Sequence, residues 1–387
     1  MKKVKVMTVF GTRPEAIKMA PVILELKKFS DKIDTTVAVT AQHREMLDQV
    51  LNLFKIVPDY DLNIMSSGQT LFDITSRALT GLNKIFEEVK PDMVLVHGDT
   101  TTTFAGALAA YYHQISVGHV EAGLRTGNKF SPYPEEMNRK LTAALSDLNF
   151  APTDTAKRNL LREGISEEKI FVTGNTVIDA LCHTVKSDFK FTEELLNGID
   201  YENKRVILVT THRRENLGEP LRQVYKALKK LVEEFTDVEV IFPVHKNPKV
   251  REVVNAELGG LERVYLCDPL DYEPFANLMS RVKLILTDSG GIQEEAPALG
   301  KPVLVLLDTT ERPEAVDAGT VKLVGTDLET VYENSKLLLT NNAEYKKMSE
   351  SVNPYGDGAA SERIVQAVLW NYKLSDKVPS TFKINRL

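Results

Sequence analysis

Three stretches of this 387-residue chain place acids where strands would end: Asp99 closes VLVHGD, Glu121 closes VGHVEAG, and Glu135 with Glu136 follows Pro134 in SPYPEEMNR. One such acid alone reads equally well as a helix cap or a solvated charge. Several on one edge of one sheet are different, because carboxylates gathered in a partly dry cleft raise one another's pKa and so supply the neutral acid and charged base that proton abstraction requires. His212 ends RVILVTTH, where an imidazole could face the same space; His97, His113, His119 and His183 read as packing or surface residues. In TDSGGIQEEAP a strand turns through Ser289, Gly290 and Gly291 into a helix carrying Glu295, and Arg312 follows the next strand. Glycines let a backbone approach an anion closely, and a helix start favours negative charge. A phosphate fits there, with Glu295 available to a ribose diol; together these suggest a nucleotide diphosphate. The first half opens with a similar device, FGTRPEAIKMAP, in which Thr12 and Glu15 form a TxxE capping box around Pro14 and direct Arg13 and Lys18 toward the same cleft.

Those residues need elements to hold them. Short β-branched runs alternate with longer helical periods, the pattern of a parallel sheet covered on both faces. KVKVMTVF, TTVAVT, DMVLVHGD, ISVGHVEAG and LNFAP are strands of a first set; RVILVTTH, VEVIFPVH, RVYLCDPL, VKLILTDSG and KPVLVLLD form a second. The fold expected is α/β, two doubly wound Rossmann-like domains facing a cleft at the carboxyl ends of their sheets. Residues 1–170 with a returning C-terminal helix in 360–387 make the first domain and 171–359 the second, with the linker near 165–175. The net charge of −6 offers no broad basic field for nucleic acid or a membrane surface. Cys182 and Cys267 match no metal or redox spacing and read as buried free thiols. No zinc spacing, GxGxxG, P-loop or GxSxG elbow is present, so metal, nicotinamide, ATP hydrolysis and acyl transfer are not signalled. The apolar run before Gly11 is too short for a secretion signal and no later stretch approaches a membrane span, which predicts a cytoplasmic protein.

GTRPEAIK (11–18), VHGDTTTT (96–103), HVEAGLRT (119–126), SPYPEEMNR (131–139), VTGNTVIDAL (172–181), THRREN (211–216), TDSGGIQEEAP (287–297) and DTTERPEA (308–315) together resemble the non-hydrolysing bacterial UDP-N-acetylglucosamine 2-epimerases. The likeness spans nearly the whole chain. It implies a glycosyltransferase-B-like fold, a homodimer, no cofactor, and reversible conversion of UDP-GlcNAc to UDP-ManNAc for cell-surface polysaccharide synthesis. Carried over residue by residue, it implies catalytic roles for Asp99, Glu121, Glu135 and His212, and nucleotide-sugar contacts for Arg13, Lys18, Ser289, Gly290, Gly291, Glu295 and Arg312, with Phe275 of LDYEPF beside the uracil. The implied chemistry is elimination of UDP across C1 and C2 to a 2-acetamidoglucal, then re-addition with the proton delivered to the opposite face.

Gln42, Gln69, Glu136, Arg213 and His245 are polar residues left over from that set. Taken by themselves they read as rim residues. The resemblance implies that they hold a second UDP-GlcNAc, which activates the enzyme. A glycosyltransferase using a UDP-sugar donor would share the fold but needs an acceptor groove rather than several acids around C2. A hydrolysing epimerase usually carries an added kinase domain, for which 387 residues leave no room. A non-enzymatic nucleotide-sugar sensor would gain nothing from clustered carboxylates.

Overall fold

The computed structural model describes residues 3–41, 44–213 and 216–384. The chain divides into two compact units, one formed by Met1–His183 with Tyr355–Lys383 and the other chiefly by Thr184–Pro354.

The first unit carries β1 (Val4–Phe10), β2 (Ile33–Val39), β3 (Tyr60–Asp61), β4 (Met93–His97), β5 (Ser116–Val120), β6 (Leu148–Ala151) and β7 (Ile170–Val172). They form one parallel sheet in the order β3-β2-β1-β4-β5-β6-β7. β4 and β6 are buried at every residue, as a parallel strand covered on both faces must be. Their apolar side chains pack against helices: Met7, Val9, Val94 and Val96 share one core cluster with Leu82, Ile85 and Phe86 of the helix Leu71–Val89. Each such side chain contributes about 1.5–3 kcal/mol when fully withdrawn from water. The order reverses between β1 and β4, and at such a switch point the two following loops diverge and leave a crevice at the strands' carboxyl ends. Arg13 follows β1 and Asp99 follows β4, so the sequence has loaded that crevice with charge.

The second unit repeats the plan with β8 (Arg205–Thr210), β9 (Val238–Pro243), β10 (Val264–Cys267), β11 (Leu284–Thr287), β12 (Val303–Val305) and β13 (Val321–Leu323). All are parallel, in the order β10-β9-β8-β11-β12-β13, with a switch point between β8 and β11. His212 follows β8, and the turn Ser289–Gly291 follows β11.

The expected linker near 165–175 is not one. Residues 170–172 are a seventh strand of the first sheet, paired in register with β6 (Ala151↔Val172). The chain then stays with the first unit because Asn175 donates its backbone N–H to Tyr355 O at 2.6 Å, and the buried Asp179 accepts the N–H groups of Ala360 and Ser361 at 3.2 and 2.7 Å. The helix Thr176–Thr184 therefore anchors the returning helix Ala360–Asn371, and the divide falls at His183, later than residue 170. The first unit also recovers the chain at Tyr355, five residues before the expected return. Cys182 is solvent-exposed rather than buried, and both cysteines are free.

Candidate active site

In the first unit Glu15 fixes the geometry. Its carboxylate lies 2% exposed and accepts the N–H groups of Gly11 and Thr12 at 3.1 and 2.8 Å, the reach-back half of the predicted capping box. The hydroxyls of Thr100 and Thr103 donate to its other oxygen at 2.7 and 3.1 Å. Thr100 caps the helix Thr101–Tyr112, so one buried acid ties together the starts of the helices after β1 and β4. Burial pushes its pKa up, and the hydrogen bonds it accepts oppose that rise only in part. The turns that carry Arg13 and Asp99 are thereby held in one fixed relation.

Asp99 is gripped from a third element. Arg139, on the helix Glu135–Leu145, reaches its Oδ2 with Nε at 2.8 Å and Nη2 at 2.6 Å, while Asn138 Nδ2 donates to the Asp99 carbonyl at 2.9 Å. His119 Nε2 lies 2.7 Å from the carbonyl of Gly98; a carbonyl only accepts, so Nε2 carries the proton. Burial holds His119 down to about 4, which keeps that ring neutral. Glu121 takes a left-handed backbone (φ 62°) immediately after β5, a conformation a glutamate adopts only when its surroundings impose it. Its Oε2 pairs with Lys18 and accepts from Asn175 Nδ2 at 2.9 Å. His97 Nε2 stands 3.8 Å from the same oxygen. Glu135 begins the helix that supplies Arg139, and its Oε2 is buried with no hydrogen-bond partner among the described residues. Arg13 is half-buried and makes no hydrogen bond or ion pair with the described residues.

The three predicted acids thus sit in three different environments: Asp99, after β4, beside a guanidinium; Glu121, after β5, beside an ammonium; and Glu135, at the start of its helix, with one unmatched oxygen. Of the left-over polar residues, Glu136 is fully buried, and its carboxylate accepts the N–H groups of Thr126 and Gly127 at 3.0 and 3.1 Å, so its described role is to anchor that loop. Gln69 folds back locally, accepting the N–H of Ser66 at 3.2 Å. Gln42 lies outside the described residues.

In the second unit Asp288 is fully buried directly after β11. It accepts the N–H groups of His212 (3.1 and 2.9 Å to its two oxygens) and Arg213 (2.9 Å), and its Oδ1 lies 2.8 Å from His212 Nδ1. Burial works against the charge of Asp288, but the bonds from His212 and Arg213 outweigh it and hold its carboxyl below the usual carboxylate range. The carboxylate fixes Nδ1–H as donor and leaves His212 Nε2 as the ring's reactive edge, an arrangement that orients a catalytic imidazole. Arg213 Nε donates to the Asp288 carbonyl at 3.2 Å, and His245 stacks on His212 with centroids 6.2 Å apart.

Beside that pair the chain enters the helix Gly290–Glu295. A Cβ on Gly290 would come no nearer than 4.0 Å to the protein, one on Gly291 no nearer than 3.7 Å, and neither glycine has a positive φ. The fold does not require glycine at either place. What their bareness provides is exposed backbone N–H at a helix start, which is what a phosphate needs. Arg312 is ion-paired to the buried Glu294 and donates Nη1–H to Glu311 O at 3.2 Å, so its guanidinium is held in place rather than sweeping solvent. Ser289 and Glu295 flank this turn half-buried, and Phe275 sits half-buried on the helix Tyr272–Arg281.

The sequence reading missed Asp288, Arg139, Asn138, Asn175 and the inward-facing His97 and His119. Only Asp288 carried a signal, as an acid directly before the glycine turn; the others act through three-dimensional proximity alone.

Comparison with known proteins bears on this arrangement. A family model described as UDP-N-acetylglucosamine 2-epimerase matches residues 25–369. A UDP-N-acetylglucosamine 2-epimerase of Bacillus subtilis (strain 168) is 60% identical over 99% of both chains. A crystal structure of a UDP-N-acetylglucosamine 2-epimerase superposes with TM-score 0.92 at 58% identity, covering 99% of this chain and 100% of that one. The UDP-GlcNAc 2-epimerase of Neisseria meningitidis, solved bound to UDP-GlcNAc, superposes with TM-score 0.84 at 53% identity over 95% of this chain and 100% of that one. With the family's glycosyltransferase-B-like pair of parallel sheets and its motifs in place along nearly the full length, the chain belongs to the bacterial non-hydrolysing UDP-N-acetylglucosamine 2-epimerases.

Proposed function

We propose that this enzyme interconverts UDP-GlcNAc and UDP-ManNAc by eliminating UDP across C1 and C2 and adding it back. One carboxylate takes the C2 proton as the C1–O bond breaks and its electron pair leaves with UDP, giving 2-acetamidoglucal. UDP then attacks C1 while a second carboxyl group delivers a proton to the opposite face of C2. The observation that carries this reading is the unlike surroundings of Asp99, Glu121 and Glu135: one acid beside a guanidinium, one beside an ammonium and one with an unmatched oxygen. Two acids in different environments are what a reaction needs when a proton leaves one face and returns to the other. His212, oriented by Asp288, and the glycine turn with Arg312 meet the negative charge that develops on the leaving diphosphate. Arg13 and Lys18 add cations from the first unit, and Glu295 and Phe275 serve ribose and uracil. The bound UDP-GlcNAc of the Neisseria relative supports the substrate assignment.

The same reading extends to regulation and setting. UDP-GlcNAc also acts as an activator through Gln42, Gln69, Arg213 and His245, the enzyme works as a homodimer in the cytoplasm, and its product feeds cell-surface polysaccharide. No helix among the described residues is long and apolar enough to cross a membrane. Incubating the enzyme with UDP-GlcNAc and separating the nucleotide sugars tests the central assignment. UDP-ManNAc should appear with no free ManNAc. Free ManNAc with stoichiometric UDP would make it a hydrolase, and unchanged UDP-GlcNAc would overturn the reading altogether.

A further inference from the structure

His97 ends β4 wholly inside the first unit, 3% exposed, and neither of its ring nitrogens has a hydrogen-bond partner among the described residues. A buried imidazole with both nitrogens unmatched is costly, and an observation of this kind calls for a physical reason. Packing does not provide one, since an apolar residue would fill the space without that cost. The backbone there is fixed, because Thr103 Oγ1 donates to the His97 carbonyl at 2.5 Å. With the main chain held there, a partner for the ring has to come from a neighbouring element.

Glu121 Oε2 stands 3.8 Å from His97 Nε2, about 0.6 Å beyond the usual hydrogen-bond range. That oxygen is held by Lys18 and by Asn175. The charged and titratable groups facing His97 are Glu121 after β5, Lys18 on the helix Arg13–Lys28 and His119 of β5. Burial holds His97 down to about 3, so the ring is neutral and one nitrogen bears a proton. Lys18 is partly exposed at 17%, and an anion arriving beside it competes with Glu121 for its ammonium. A diphosphate is such an anion. As Lys18 turns toward it, Glu121 loses a charged donor at the moment its carboxyl group must handle a proton.

Resting on the proposed reaction, we infer that His97 is a positioning residue whose Nε2–H takes over Glu121 Oε2 when Lys18 engages the substrate's diphosphate. It replaces an ammonium, which fixes Glu121 as a carboxylate, with a neutral donor that orients the same oxygen and leaves the group able to gain a proton. The unmatched ring in the free enzyme is a donor held in waiting.

Two side chains distinguish a donor at Nε2 from bulk alone. Glutamine carries its amide nitrogen about as far from the backbone as Nε2, asparagine about as far as Nδ1. His97→Gln should retain kcat for UDP-GlcNAc within about fivefold, and His97→Asn should lower it by on the order of 30- to 100-fold with KM within about twofold. Equal losses in both variants, or an asparagine variant with parental kcat, would overturn the proposal. A second measurement uses the unaltered enzyme labelled with 15N-histidine. Adding UDP should shift the His97 Nε2–H proton downfield as it acquires an acceptor; an unmoved signal at saturating UDP would also overturn it. Absence of epimerisation by the parent enzyme sinks the functional reading and this proposal with it, whereas an active parent with equivalent variants sinks this proposal alone.

Discussion

Replacing Asp288 by asparagine keeps the shape of a fully buried side chain while removing its charge. The amide oxygen can still accept the N–H groups of His212 and Arg213, now 2.9–3.1 Å from the carboxylate oxygens. The amide nitrogen cannot accept from His212 Nδ1, which faces Oδ1 at 2.8 Å. Either the ring adopts the other tautomer, protonating the edge that must be reactive, or the contact is lost. A hydrogen bond to a charged group is worth about 1.5–3 kcal/mol. At about 1.36 kcal/mol per decade of rate, that loss corresponds to roughly a 10- to 150-fold fall in kcat. The assay is steady-state epimerisation of UDP-GlcNAc by Asp288→Asn, His212→Asn and the double variant. If Asp288 acts through His212, the double variant is no slower than His212→Asn. An undiminished kcat in Asp288→Asn, or an equal further loss in the His212→Asn background, would refute the orienting role.

Other consequences are equally specific. Gly291→Val should leave the unfolding temperature nearly unchanged, since a Cβ there meets nothing closer than 3.7 Å, yet weaken UDP binding by about tenfold or more. Gly123→Ala should do the reverse, because its φ is 93° and its Cβ would lie 2.4 Å from Ala156 O; calorimetry and UDP titration of both variants separate the cases. His97 and His119 are held down to about 3 and about 4 in the folded state against 6.5 unfolded. The unfolded chain therefore binds more protons below pH 6.5, so stability is full above that pH and falls on acidification, by up to about 1.4 kcal/mol per pH unit for each histidine. Urea midpoints at pH 7 and pH 5 test this, and a midpoint as high at pH 5 contradicts the assignment. Asp99→Asn, Glu121→Gln and Glu135→Gln should each lower kcat by on the order of a hundredfold or more with UDP affinity little changed; variants that bind UDP poorly but turn over normally at saturation would reverse the roles.

Much of this was legible in the sequence because doubly wound sheets write themselves plainly. β-branched runs such as KVKVMTVF and VKLILT mark strands, so the positions of Arg13, Asp99, Glu121, His212 and the glycine turn just after strand ends were legible from the sequence alone. The divide was misplaced because IFV at 170–172 is only three residues long, too short to show a period, and its membership of the first sheet depends on a partner strand. β3, with two residues, was invisible for the same reason. Side-chain partnerships were out of reach for a different cause. Nothing local says that Arg139 closes on an aspartate 40 residues earlier, or that His97 and His119, on adjacent strands, point at functional groups rather than into apolar packing. Glu136 is expected from the resemblance to touch a second UDP-GlcNAc, but two backbone N–H groups of the loop at Thr126 and Gly127 draw its carboxylate inside.

Everything proposed for the three carboxylates depends on one bond, the C2–H of the sugar. Running the enzyme in deuterated water with UDP-GlcNAc and following the sugar by NMR tests it most directly. Deuterium should enter C2 of both UDP-GlcNAc and UDP-ManNAc as they equilibrate, with no metal and no nicotinamide added, because a carboxyl group exchanges its proton with solvent between leaving one face and returning to the other. Epimerisation that retains the original C2 hydrogen through many turnovers would contradict the account, since it would place the chemistry at a neighbouring carbon and leave Asp99, Glu121 and Glu135 without the proton they are proposed to carry.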